Sequence, residues 1–331
     1  MSIISLFKFL TMISRRQFLQ YSTTTISSTM AFDLLGNSVV TRKRNWGVQL
    51  FTIPQMLSND FTGALKTISD FGYRELEFFG PYPFSAQPTI DRWVGIAQQL
   101  GIKQNAFYGY KVKEVKKLLQ DNNLSTPSVH LDILTLRSGM ATAMKELSSL
   151  DIKYCAIPTL MDEAQNTADD FKRFADEFNT FGKQMSDYGI AFVYHNHGFE
   201  HASKDGQIPM NILLQNTDPE NVKFELDIFW MQAAGANPIE YLKKYPNRFK
   251  LMHVKDASEP VRFSGDGSTP DQWMAVFPKM TDPGSGVFDI EGIIKTAIKS
   301  GTEHFFLERD LTPTPEASLK KAIQYFSGLK L

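Results

Sequence analysis

The sequence lacks several things, and each lack excludes something. It has one cysteine, Cys155, in 331 residues, so neither an internal disulfide nor a cysteine zinc cluster is possible. Any metal site must use His, Asp and Glu. Neither sign of charge is in excess: 35 Lys and Arg face 36 Asp and Glu, a formal net charge of −1. With no basic block, nucleic acid is disfavoured as the main partner. No apolar run approaches the ~20 residues of a membrane span. No Gly-x-Gly-x-x-Gly turn follows the first apolar run, where Phe51-Thr52-Ile53-Pro54 stands instead. That disfavours a doubly wound open sheet. There is no repeat of solenoid length and no low-complexity linker.

Near the start, Ser14-Arg15-Arg16-Gln17-Phe18-Leu19-Gln20 resembles the twin-arginine export signal of bacteria. The Ser/Thr-rich, mildly apolar stretch after it fits such a signal. The resemblance implies that residues 1–40 are an export signal and linker ahead of one domain, 41–331, in the periplasm. The alternative is a cytoplasmic protein. Twin-arginine cargo crosses folded, often after a metal or cofactor is loaded, which suits a metal site.

From Arg44 the chain alternates short apolar runs with longer amphipathic ones. Strands are expected at 46–52, 74–79, 127–131, 153–158, 191–195, 223–227, 249–255 and 304–308, most of them rich in Val, Ile, Phe or Leu, as buried parallel strands are. Helical patterns occupy 61–71, 90–100, 112–120, 167–185, 238–244, 290–299 and 315–329, with Gly72, Gly101 and Gly189 after three of them. Eight such units define a single-domain α/β fold, the (β/α)8 TIM barrel. The longest irregular stretch, 257–287, follows the seventh strand and is expected on the catalytic rim as a lid.

The C-terminal strand ends, where barrel enzymes place their chemistry, are polar. They carry Glu75 and Glu77, His130 and Asp132, His195-Asn196-His197, Glu225 and Asp227, His253 and Lys255, and Glu308-Arg309-Asp310. Side chains alternate along a strand, so Glu225 shares a face with Asp227, and His253 with Lys255. Charges inside a barrel are costly unless paired or ligating, so this concentration marks a site. Imidazole and carboxylate donors without thiolate suit a divalent ion, which can polarise a carbonyl while a carboxylate or His moves the proton beside it.

Residues 46–329 resemble the xylose-isomerase-like TIM barrels, a family of sugar phosphate isomerases and epimerases, inosose and hydroxypyruvate enzymes and endonuclease IV relatives. The motifs are Val193-Tyr194-His195-Asn196-His197-Gly198, Glu225-Leu226-Asp227, His253-Val254-Lys255-Asp256, Phe306-Leu307-Glu308 and Gly284-Ser285-Gly286-Val287-Phe288-Asp289. The resemblance implies one divalent ion held by residues of strands five to eight: His195, Asp227, His253 and Glu308. Relatives commonly have Glu where His195 stands. The neutral ligand removes one negative charge, favouring Mn, Zn, Co or Fe over Mg. Glu308, His130 and Glu200 are the proton-transfer candidates. His197, Lys255, Glu77 and Trp230 are the substrate-binding candidates. The expected activity is isomerisation or epimerisation of a sugar, keto-sugar or polyol. The alternatives are elimination or hydrolysis on a 3-keto-glycoside, or sugar binding without turnover. A homo-oligomer is left open.

Overall fold

The computed structural model describes residues 44–103, 106–160 and 165–331. The export signal expected over 1–40 lies outside them. Asn45–Leu331 forms one compact unit.

Eight parallel strands close into a barrel: β1 (Gly47–Gln49), β2 (Glu75–Phe78), β3 (Ser125–His130), β4 (Tyr154–Ile157), β5 (Ala191–His195), β6 (Val222–Asp227), β7 (Phe249–Val254) and β10 (His304–Leu307). Each falls within or beside an expected strand. Two short strands, β8 (Asp256–Ala257) and β9 (Met280–Thr281), pair antiparallel outside it. The helices are α1 (Pro54–Asn59), α2 (Phe61–Phe71), α3 (Gln87–Leu100), α4 (Val112–Asp121), α5 (Ile133–Ser148), α6 (Ala168–Ser186), α7 (Pro209–Asn216), α8 (Ile228–Ala233), α9 (Pro238–Lys244), α10 (Pro270–Val276), α11 (Ile290–Lys299) and α12 (Pro315–Gly328).

Local chemistry sets the helix ends. The Asp60 side chain accepts from Gly63 N–H at the start of α2, and Gly72 ends it at φ +108°, a conformation open to glycine. Thr167 and Asp170 form a reciprocal cap on α6, whose Phe171, Phe174, Phe178 and Phe181 are buried. Burying each such ring contributes roughly 2–3 kcal/mol. Strand alternation then divides the two cores. In β5, Phe192 and Tyr194 pack outward on Phe178 of α6. Val193 joins Tyr154, Ala156, Leu251 and Phe306 inside the barrel. Gly47 in β1 makes room there, since a Cβ would collide with the Phe306 ring.

Two expectations are corrected. Residues 133–148, read without a helix, form α5. Gly139 breaks the helical dihedrals at its middle (φ −146°, ψ 23°), and with them the apolar period. The 257–287 stretch is not irregular throughout: it contains α10 and β9. It is also tethered, because the Asp256 carboxylate accepts from the amides of Ala257 (2.8 Å), Gly284 (3.0 Å), Gly286 (3.0 Å) and Phe288 (3.2 Å).

Candidate active site

Above the apolar layer lies a polar one. At the C-terminal mouth, the strand ends open into a cavity of about 220 Å3. His130, His195, His197, Lys255, Glu308, Asp310 and Gln49 line it with aromatic Phe51, Phe79, Trp93 and Trp273. Glu77, Glu225, Asp227 and His253 are fully buried and are not among its lining residues.

These groups form two connected tiers. In the upper one, Asp227 Oδ2 lies 3.9 Å from His195 Nε2 and 3.8 Å from His253 Nδ1. Glu308 Oε2 lies 2.6 Å from His253 Nδ1. The Lys255 ammonium sits 3.0 Å from Asp227, 2.7 Å from Glu308 and 2.6 Å from Asp310. In the lower tier, Glu225 Oε2 lies 3.0 Å from His195 Nδ1 and 2.9 Å from His130 Nε2. Glu77 Oε2 lies 2.6 Å from His253 Nε2 and 3.1 Å from His130 Nε2.

Charge follows from these contacts. Burial disfavours a charged imidazole at His253, but Glu225, Glu308 and Glu77 raise its pKa well above the usual value. Burial likewise opposes protonation of His130, and Glu77 and Glu225 still bring it to about 9. Burial and the positive groups nearby push His195 below its ordinary value and His197 well below. Against the effect of burial, His253 holds Glu225 well below the usual carboxylate range, and Lys255 and His253 do the same for Glu308.

Of the residues predicted as ligands, Asp227, His253 and Glu308 thus converge, and His195 Nε2 stands 3.9 Å from Asp227 Oδ2 while sharing the lower tier with His130, Glu225 and His253. Among the predicted substrate and proton-transfer groups, His130, His197 and Lys255 line the cavity. Three others do not. Glu77 lies beneath His130 and His253. Glu200 faces the wall, where it accepts from the Tyr194 hydroxyl (2.6 Å) and the His197 amide (3.1 Å) and so braces the turn after β5. Trp230 is 2% exposed, packed among Phe229, Phe263, Trp273 and Phe277. Trp273 takes the place expected of it, stacking on the His197 ring at 4.7 Å. Sequence reasoning missed Trp273, Gln49 and the contacts of Glu225 with His130, His195 and His253. Only Glu225 had a signal, its two-residue spacing from Asp227.

The residues fit a divalent ion. Asp227, His253 and Glu308 offer donor atoms within 4.8 Å of one another. Asp227 Oδ2, 3.0 Å from the Lys255 ammonium, and His253 Nδ1, 2.6 Å from Glu308 Oε2, are both buried, so a bound ion would join Lys255 in balancing the carboxylates gathered there. One imidazole nitrogen and two carboxylate oxygens, with His195 Nε2 3.9 Å from Asp227, suit Zn, Mn, Fe or Co.

The family model for xylose isomerase-like TIM barrels matches residues 65–329, and the chain belongs to that family. Inosose dehydratase of Clostridium beijerinckii is 31% identical over 122 residues, 37% of this chain and 40% of that protein. Inosose dehydratase 2 of Bacillus cereus is 27% identical over 181 residues, 52% of this chain and 60% of its own length. The alignments thus span about two fifths to three fifths of these curated relatives. A sugar phosphate isomerase/epimerase from Parabacteroides distasonis superposes with a TM-score of 0.67 at 24% identity, over 88% of this chain and 96% of that one. The IOLI protein, solved with a bound zinc atom, superposes at 0.60 and 16% identity, over 86% and 95%. At these identities the structural likeness establishes the fold. No helix among the described residues is long and apolar enough to cross a membrane.

Proposed function

We propose that this protein is a divalent-metal-dependent enzyme that moves a proton on the carbon beside a carbonyl of an unphosphorylated keto-sugar or polyol-derived ketone. The observation that carries this reading is the buried cluster of Asp227, His253 and Glu308, whose donor atoms lie within 4.8 Å of one another beside an aromatic-walled cavity. His195, Asp227, His253 and Glu308 would hold the ion. When bound, it supplies Lewis acidity to a carbonyl oxygen and stabilises the negative charge that develops there.

The chain's own residues do the rest. Glu308 and His130 both line the cavity, from β10 and β3, and are the groups placed to take and return the proton. Trp273, Phe51, Phe79 and Trp93 offer apolar faces to a ring and exclude water. Lys255, the one Lys or Arg among the described lining residues, is bound by three carboxylates. That leaves no free Lys or Arg for a phosphate among the described lining residues, which supports a neutral substrate.

Return of the proton to a neighbouring carbon or the opposite face gives isomerisation or epimerisation. A second reading, loss of a β-hydroxyl as water, is supported by the relatives called inosose dehydratases. Both share the first proton transfer. The test is solvent deuterium uptake by unphosphorylated keto-sugars and inososes incubated with the metal-loaded protein. Incorporation at the carbon beside the carbonyl is expected, and product mass separates isomerase from dehydratase. Absence of exchange across both substrate sets would overturn the reading. An exported, periplasmic location fits such a substrate. Export of a reporter fused to residues 1–40, abolished by replacing Arg15 and Arg16 with Lys, tests that location.

A further inference from the structure

The lower tier needs a reason, because a carboxylate fully removed from water is costly unless its charge is used. Glu225 lies on β6 two residues before Asp227, on the same face and about 6–7 Å deeper. Three imidazoles surround it: His195 Nδ1 at 3.0 Å, His130 Nε2 at 2.9 Å and His253 Nε2 at 3.1 Å. A neutral imidazole that donates from one nitrogen presents a lone pair at the other. His195, donating from Nδ1 to Glu225, directs its Nε2 lone pair to the upper tier. His253, with Nε2 against Glu77 and Glu225, turns its Nδ1 to the same tier, where it meets Glu308 Oε2 at 2.6 Å. His195 Nε2 and His253 Nδ1 then lie 3.9 and 3.8 Å from Asp227 Oδ2. Their separations are shorter than twice a metal–donor bond of about 2.1 Å.

We propose that Glu225 is a positioning residue, whose carboxylate sets which nitrogen of His195, and with Glu77 which nitrogen of His253, faces the cation. Its charge also lies beneath both imidazoles, where it raises their basicity. This rests on the metal reading above. The hydrogen-bonded geometry of His130 and His195 toward Glu225 argues that this carboxylate serves as their acceptor and not as the ligand of a second ion.

The test uses the full chain and two readouts. The first is Zn2+ affinity by competition with a chelator. The second is the histidine tautomer pattern of the metal-free protein by 15N NMR. Glu225→Gln is expected to weaken Zn2+ binding by roughly 10- to 100-fold and to remove the Nδ1–H signature of His195. Glu77→Gln should alter the His130 and His253 signals and leave His195 unchanged. Wild-type affinity with unaltered tautomers in Glu225→Gln would overturn the proposal. So would a second Zn2+ equivalent that Glu225→Gln removes while sparing the first. If wild-type protein takes up no Zn2+, the metal reading fails on its own, and the metal-free tautomers still decide the role of Glu225. Should Glu225→Gln not fold, Glu225→Asp, which keeps the charge and withdraws it by one methylene, carries the same expectations.

Discussion

His253 joins the two tiers: its Nε2 lies 2.6 Å from Glu77 and its Nδ1 2.6 Å from Glu308. One imidazole therefore separates two buried carboxylates and links the bottom of the polar layer to the cavity. Lys255 performs a similar service one step higher, among Asp227, Glu308 and Asp310. The site holds its negative charge close because cations are threaded through it.

Lys255→Met tests that balance. Without the ammonium, three carboxylates lose their partner, and the metal-free protein should lose about 3–5 kcal/mol of stability. The same change leaves Asp227 and Glu308 more attractive to an added cation. Thermal unfolding with and without Zn2+ should show a lower Tm for the metal-free variant and a larger rise on adding Zn2+ than in wild type. An equal rise in both would show that Lys255 does not compete with the ion.

Glu200 predicts a pH effect of definite sign. Burial raises its pKa from 4.5 to about 7. Between those values the folded protein holds a proton that the unfolded chain has released, so the group's stabilising contribution is present below pH 4.5 and is lost as pH rises to about 7. The difference amounts to about 3 kcal/mol. Unfolding of wild type and Glu200→Gln from pH 5 to 8 checks it: the stability of wild type relative to the variant should fall across that range. A gap independent of pH would contradict the expectation.

Trp273 should matter for binding more than for folding. Its indole N–H donates to Gly267 O at 2.6 Å, and its ring lies against His197 on the cavity wall. Trp273→Ala is expected to raise KM about tenfold for the ketone that exchanges deuterium, with a smaller change in kcat. A fall in kcat at constant KM would instead place Trp273 in the chemistry.

Much of this was legible in residue order, and the failures share a cause. β5 and α2 announce themselves through apolar period and, for α2, a Gly cap. The ends of strands five to eight show their His, Asp and Glu at positions of one parity. Depth along the barrel is not legible, because it depends on stagger between strands. The ladder shifts register between Glu75 and Glu77 and again between Phe224 and Glu225. Glu77 and Glu225 thus end below the cavity and not on its rim. Chain direction after a strand is equally hidden. Asp227 caps α8 by accepting from the Trp230 amide at 3.0 Å, and that turn carries the Trp230 ring into the wall. Trp273 lies in a stretch whose sequence shows no period, so nothing marked it as a cavity residue.

The central claim is that Asp227, His253 and Glu308 gather to hold a cation. Metal analysis of the purified full chain beside Asp227→Asn and His253→Gln, each checked for folding by circular dichroism, addresses it most directly. About one divalent ion per wild-type chain is expected, with less than a tenth of that in either folded variant. Wild-type protein that neither carries nor takes up a divalent ion, or variants that keep it in full, would contradict the claim.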